Sequence, residues 1–390
     1  MLENPRKRRE TVLPYGRQSI DESDIQAVVE VLRSDWITQG PAIEQFERSV
    51  ADYVGAKYAV AFSNGTAALH GACHAAGIGP GDEVITTPIT FLASSNCVLY
   101  CGGTPVFADI RPDTYNLDPD ETAKKITSRT KAIIAVDFSG QPVEADKFSK
   151  LANDRGLVFI QDAAHSLGAE YAGRKVGTWA DMTMFSFHPV KHVTTGEGGV
   201  IVTDREDFRD ALVEFRSHGM TRNPDRLERN DGPWYYEMQS LGYNYRMTDL
   251  QAALGASQMH KLPRFIQRRR EIVSRYNAAF SAIPGLRTPH QNPDASSSWH
   301  LYVLLWDGNV IEGGRDRAFE RLRERMIGVN VHYIPVYLQP YYKRLGFTPG
   351  LCPNAEAYYR AALTLPLFPA MTDEDVEDVI QAVSDVAKGH

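Results

Sequence analysis

The sequence predicts an α/β fold: a large domain on a mostly parallel, mixed sheet, followed by a smaller α+β domain. Three observations carry this. Short apolar runs alternate with helical patterns through the first half of the chain, as βαβ units around a parallel sheet require. The alternation stops after Thr203, and a polar linker ending near Ser298 precedes a new set of strand and helix patterns. The 390 residues, 43% hydrophobic and 23% charged, supply ample core for one large domain and a smaller one.

Residues 1–20 are expected as a tail. Residues 21–34 then carry Ile25, Val28, Val29 and Leu32 at helical spacing, and 41–53 repeat the pattern with Ile43, Phe46 and Val50. Strand runs follow at 58–62, 83–86, 104–108, 132–137 and 158–161, with helices between them, two starting near Thr66 and Phe91. The runs at 183–187 and 199–203 have no crossover helix between them, so they are expected as adjacent antiparallel or edge strands. Helical patterns over 205–216 and 247–280 flank a polar stretch, 221–234, expected as a mobile surface loop. The large domain is placed at 21–284. In the small domain, 285–390, strand runs fall at 299–305 and 329–333, with helices near 315–326 and 354–362 and a last one from Thr372.

A net charge of -7 and a pI near 5.9 give no broad positive field for nucleic acid or an anionic membrane. The basic cluster Arg6-Lys7-Arg8-Arg9 is expected to be a solvated tail. No apolar run approaches the ~20 residues that span a bilayer, and no secretory signal opens the chain. A cytoplasmic location is the expectation. Cys73, Cys97, Cys101 and Cys352 lack paired spacing and read as small, reduced core residues.

Three strand ends carry candidate chemistry. Asp162 closes the run Leu157-Val158-Phe159-Ile160-Gln161, where ligands collect in open parallel sheets. It would either grip a cationic ligand or cap a helix beginning Ala163-Ala164-His165. Lys191 leaves the run 182–187 in a small-residue loop, Thr194-Thr195-Gly196-Glu197-Gly198-Gly199. A solvated lysine is the bland alternative, but apolar neighbours would desolvate its ammonium and favour the neutral amine that imine chemistry needs. Ser63-Asn64-Gly65-Thr66-Ala67-Ala68-Leu69 joins a strand to a helix, a phosphate cradle in kind or an ordinary capped helix. His188 and His192 have metal-ligand spacing, but Pro189 opposes the helix that spacing needs, so no metal is expected. A phosphate site, an imine-forming lysine and a carboxylate for a ring nitrogen together match the needs of pyridoxal phosphate.

The segments Ser63-Asn64-Gly65-Thr66-Ala67-Ala68-Leu69, Gln161-Asp162-Ala163-Ala164-His165, Phe185-Ser186-Phe187-His188-Pro189-Val190-Lys191 and Gly242-Tyr243-Asn244-Tyr245-Arg246-Met247-Thr248 resemble sugar-nucleotide aminotransferases of the DegT/DnrJ/EryC1/StrS group. The resemblance runs in order along nearly the whole chain. It implies the pyridoxal-phosphate (PLP) transferase fold of type I, like aspartate aminotransferase, and a homodimer with active sites shared at the subunit interface. It also implies that Lys191 is the Schiff-base lysine, that Asp162 pairs with the pyridine nitrogen, and that Phe91 stacks on the ring. Gly65, Thr66, Ala67 and Ser186 would hold the phosphate, Asn244 or Arg246 would reach in from the second subunit, and His165 would lie against cofactor or substrate. Dehydrases of the group carry His in place of the lysine, so Lys191 speaks against that activity.

Within the group, Trp36-Ile37-Thr38-Gln39-Gly40-Pro41 and Val331-His332-Tyr333-Ile334-Pro335-Val336-Tyr337 are similar to enzymes that aminate carbon 4 of UDP-4-keto-6-deoxy-N-acetyl-altrosamine on the way to pseudaminic acid. Enzymes acting on UDP-4-keto-arabinose or GDP-4-keto-6-deoxymannose share most of these motifs. The expected mechanism is a two-stage exchange with L-glutamate as donor, 2-oxoglutarate as co-product and ping-pong kinetics; His332 and Tyr337 are the candidates for substrate contact. Two other readings are a non-catalytic PLP-binding regulator, which would not turn over glutamate, and a structural protein, which would not bind the cofactor.

Overall fold

Strands rich in β-branched and aromatic residues are stable when helices cover both faces of their sheet. In the computed structural model, which describes residues 9–389, seven strands form one such sheet: β1 (Tyr58–Phe62), β2 (Glu83–Thr86), β3 (Thr104–Phe107), β4 (Thr130–Val136), β5 (Val158–Asp162), β6 (Met182–Ser186) and β7 (Gly199–Thr203). Their order is β1-β7-β6-β5-β4-β2-β3. From β2 to β6 the pairings are parallel, whereas β7 is antiparallel to both β6 and β1. The two runs without a crossover helix are therefore antiparallel neighbours, with Ser186 opposite Gly199. β7 is interior, however, and β1 forms that edge.

Successive side chains point to opposite faces of the sheet. Val60, Phe62, Ile201, Ile160 and Met184 pack on the side of α3 (Gly65–Ala75) and α7 (Glu206–Phe215). Ala61, Phe185, Val200 and Val202 pack on the opposite side with Phe46 and Val50 of α2 (Pro41–Val54). Helix α1 (Glu22–Arg33) behaves differently: Ile25 and Leu32 are 50% and 59% exposed, and its anchor is Asp24, held by Ser257, Gln258 and Lys261. The remaining helices of this part are α4 (Ala93–Tyr100), α5 (Pro119–Lys124) and α6 (Ala145–Arg155).

Two helices, α8 (Asp249–Met259) and α9 (Leu262–Phe280), replace the single one expected over 247–280. Pro263 explains the break: it has no N–H for the carbonyl of residue 259 and its ring clashes there, so it fits only in a first turn. The 221–234 stretch is closed by pairing of Met220–Thr221 with Glu237–Met238.

In the C-terminal part, β8 (Leu286–Arg287), β9 (Tyr302–Trp306) and β10 (Ala362–Leu365) form an antiparallel sheet in that order, with α10 (Gly314–Glu324), α11 (Pro340–Arg344), α12 (Pro353–Ala361) and α13 (Asp373–Ala387). The strand expected at 329–333 is irregular backbone; only Asn330 bridges to Thr364. β10 is the third strand instead, concealed in the sequence by the helical pattern that runs up to it. Ile272, Tyr276 and Phe280 of α9 join this core, whereas Leu262 and Ile266 join that of the large sheet. Leu13 is buried in the C-terminal core and bonds to Met326 O and Gly328 N. Of the basic cluster, residues 6–8 lie outside the described residues, while Arg9 is not a free tail residue: it pairs with Asp375 and Asp378 at 2.7 Å. Among the described residues no helix is long and apolar enough to cross a membrane.

Candidate active site

The carboxyl ends of β1, β4, β5 and β6 open into a cleft of about 960 Å³, lined by Asn64, Gly65, Thr66, Ala67, Val136, Asp162, Ser186 and Lys191. The three strand-end candidates thus meet in one place. A smaller polar hollow of about 310 Å³ beside Arg111 and His290 contains none of them.

Asp162 ends β5 with 3% of its surface exposed. Its Oδ2 accepts from Ser94 Oγ at 2.6 Å and its Oδ1 from Ala164 N at 3.1 Å. Residues 164–168 form a turn, so the helix that the capping alternative requires is absent. Burial raises the Asp162 pKa, opposed by the Ser94 and Ala164 hydrogen bonds and by Lys191. Lys191, half-buried, follows β6 in an irregular loop. Burial pushes its amine down to about 8, with the Asp162 charge opposing. Its Nζ lies 3.4 Å from His300 Nε2.

The cradle follows from helix geometry, which leaves the first four N–H groups of α3 without helical acceptors. Asn64 satisfies one of them, taking Ala67 N on its side chain at 2.8 Å, while its carbonyl accepts the first helical bond, from Ala68 N at 3.1 Å. Those of Gly65 and Thr66 are left for a ligand, at the positive end of the helix. Gly199 lets β7 pass beneath this turn, since a Cβ there would lie 2.5 Å from Asn64 O. Ser186 borders the cradle from β6, and Phe91, 60% exposed, stands at the mouth.

His165 is buried on the cleft wall, where Nδ1 accepts Ser139 N at 3.3 Å, so its proton sits on Nε2, 3.3 Å from Tyr333 OH. His332 lines the cleft with Nδ1 2.8 Å from Thr364 Oγ1, and burial pulls its pKa down to about 3. Tyr337 is not brought to the cleft. Its ring is fully buried and its hydroxyl donates to Glu356 Oε1 at 2.6 Å, so the irregular backbone after His332 turns it into the core. Asn244 and Arg246 do not line this chain's own cleft either. His188 is exposed, whereas His192 is buried and donates from Nε2 to Ser298 O at 2.9 Å. Among the described residues no group of three or more His, Cys, Asp or Glu is arranged to hold a metal, and all four cysteines are free.

The sequence reading missed Ser94, His300, Tyr15, Asn330 and Tyr333, all of which touch or line the site. His300 left a faint signal, a polar residue interrupting the apolar run at 299–305. Ser94 left none.

The cleft fits pyridoxal phosphate: it offers a desolvated amine, a buried carboxylate for a ring N–H and two spare backbone donors for a phosphate. Comparison with known proteins agrees. Residues 18–384 match the DegT/DnrJ/EryC1/StrS aminotransferase family. The spore coat polysaccharide biosynthesis protein SpsC of Bacillus subtilis is 44% identical over 385 residues, covering 98% of this chain and 99% of that protein. The structure of Helicobacter pylori PseC, an aminotransferase involved in the biosynthesis of pseudoaminic acid, superposes with a TM-score of 0.90 at 34% identity, covering 97% and 100%. The PLP form of the putative sugar aminotransferase Spr1654 from Streptococcus pneumoniae gives 0.90 at 33%, covering 97% and 99%. The chain belongs to the DegT/DnrJ/EryC1/StrS family, has its type I fold, and is a PLP-dependent sugar aminotransferase.

Proposed function

We propose that this enzyme moves the amino group of L-glutamate to carbon 4 of UDP-4-keto-6-deoxy-N-acetyl-altrosamine, releasing 2-oxoglutarate. The observation that carries the transamination chemistry is the convergence of Lys191 and Asp162 on one cleft from the ends of adjacent strands. The likeness to PseC, named for pseudoaminic acid biosynthesis, supports the acceptor. The greater identity to SpsC favours a second reading, amination of a different nucleotide-linked keto sugar for a surface polysaccharide.

When bound, PLP supplies an aldehyde that captures amines and a ring that accepts the electrons of a broken C–H bond. The chain's residues do the rest. Lys191 Nζ would hold the cofactor through its amine, and the same amine would carry a proton away from the donor's α-carbon and deliver one to the sugar carbon. Asp162 keeps the ring nitrogen protonated, and Ser94 and Ala164 hold that carboxylate in place. Gly65, Thr66 and Ser186 would bind the phosphate, with Ala67 beside them but its N–H held by Asn64; Phe91 would cover the ring, and His165 and His332 would face the substrate. The enzyme works in the cytoplasm as a homodimer in which Asn244 and Arg246 complete the cleft of the other copy. Their position outside this chain's own cleft, together with exposed Ile25, Leu32, Trp36 and Ile37, supports that arrangement.

The decisive experiment incubates the enzyme with L-glutamate and a panel of UDP- and GDP-linked keto sugars and identifies products by mass spectrometry. A 4-amino product from the UDP-altrosamine precursor alone is expected. Preference for another sugar would reject the acceptor, and no 2-oxoglutarate with any sugar would favour a cofactor-binding regulator. Lys191→Ala must abolish the visible absorbance of bound cofactor. Sedimentation should give a dimer, and a fully active monomer would reject the shared sites.

A further inference from the structure

Four buried imidazoles, those of His165, His192, His300 and His332, feel the charge of the Lys191 amine. Three are engaged elsewhere, with Ser139 and Tyr333, with Ser298, and with Thr364. His300 differs. Its Nε2 faces Lys191 Nζ at 3.4 Å, and its Nδ1 is buried without a hydrogen-bond partner. An unpaired buried polar atom is costly, so of the four imidazoles His300 is the one whose polar contact is with the lysine.

The backbone around it is held from several sides. Arg269 is buried and its Nη1 donates to the carbonyls of Trp299, His300 and Leu367 at 3.1, 3.1 and 2.9 Å. Ser139 Oγ donates to Leu301 O at 2.7 Å, and Leu301 N donates back to Ser139 O. Trp299 sits at φ +56°, a left-handed conformation unfavourable for a bulky residue. Gly140 admits the approach, since a Cβ there would lie 2.7 Å from the backbone nitrogens of Trp299 and His300. These contacts fix where the imidazole stands.

We propose that His300 is a positioning residue for Lys191: whenever the lysine is free of the cofactor, His300 Nε2 accepts a hydrogen bond from Nζ and keeps the amine inside the cleft. This rests on the reading of Lys191 as the cofactor-bonding residue. A free lysine side chain has four rotors and a strong preference for water, whereas proton transfer at carbon needs its amine in one place. The proton belongs on the lysine, because burial holds His300 well below the ordinary imidazole value while the amine titrates at about 8. The ionisable groups that bear on the pair are Asp162, Arg269, His165, His192 and His332.

The test measures how fast cofactor-free protein becomes bonded to added pyridoxal phosphate at Lys191. Samples are quenched with borohydride and the modified peptide is quantified by mass spectrometry across a pH series. His300→Gln carries an acceptor near the Nε2 position; His300→Asn and His300→Leu do not. Losing the acceptor should lower the high-pH plateau about tenfold or more and move the midpoint of the profile downward, as the ammonium loses its partner. His300→Gln should keep both near wild type. If His300→Leu fails to fold, the Asn and Gln variants decide. Wild-type plateaus and midpoints in His300→Asn would overturn the proposal, and so would equal loss of plateau in Asn and Gln with no midpoint shift, which marks a packing role. If wild-type protein is not modified at position 191, the reading of Lys191 itself falls, and the proposal with it.

Discussion

The hydroxyl of Ser94 donates to Oδ2 of Asp162 across 2.6 Å and ties the first turn of α4 to the end of β5. Thr90 Oγ1 stands 2.7 Å from the same hydroxyl, making a short chain of buried polar atoms behind the carboxylate. Such a group orients the charge that faces the cofactor. Ser94→Ala should therefore weaken cofactor binding by about 1.5–3 kcal/mol, roughly tenfold or more in Kd, the usual loss for a hydrogen bond to a charged group. Fluorescence titration of cofactor-free protein measures this. Unchanged affinity would show that Asp162 needs no such support.

The buried histidines make the cleft sensitive to acid. Burial holds His192 well below the ordinary imidazole value in the native state. Below pH ~6.5 the unfolded chain takes up a proton that native His192 refuses, so its contribution is present above that pH and lost at about 1.4 kcal/mol per unit as pH falls. His192→Gln keeps an N–H for Ser298 O but cannot titrate. Urea unfolding at two pH values a unit or more below 6.5 should show a dependence weaker than wild type by up to about 1.4 kcal/mol per unit. An identical slope would mean that His192 is protonated in the native state.

Tyr337 separates packing from substrate contact. Its hydroxyl donates to Glu356 Oε1 and lies 3.2 Å from Cys352 N, and Tyr337 does not line the cleft. Tyr337→Phe should cost about 1–3 kcal/mol of stability through the polar groups left unpaired, with KM for the keto sugar unchanged. Calorimetry and steady-state kinetics together check it. A raised KM with unchanged Tm would restore the substrate role.

Two glycines of the phosphate turn should respond differently. A Cβ at Gly199 would meet Asn64 O at 2.5 Å, which is backbone and cannot yield, whereas one at Gly65 would meet only Met184 and Ser186 side-chain atoms at 3.5 Å. Gly199→Ala should destabilise by about 2 kcal/mol or more and loosen phosphate affinity, while Gly65→Ala should fold with wild-type Tm. Thermal unfolding with and without inorganic phosphate distinguishes the two.

Several features of the site were legible because their signals are local. Lys191, Asp162 and the turn at 63–69 each sit directly after a strand, and an apolar run followed by a polar residue marks a strand end without knowledge of the partner strands. The position of β7 was not legible, because a strand's neighbours depend on pairing across the sheet. The break at Pro263 carried a local signal that the continuous helical pattern on both sides masked. Tyr337 was misread for the opposite reason: near His332 in sequence, it is turned into the core by irregular backbone that no periodicity describes.

By itself the sequence determined the alternating α/β order, the strand-end residues that carry the chemistry, and through its motifs the family. Tertiary structure alone decided what stands behind those residues. Ser94 lies 68 positions from Asp162, and His300 lies 109 from Lys191. Local patterning encodes which side chains face a core or a strand end, but which distant segments share that core is settled by packing and hydrogen-bond satisfaction over the whole chain.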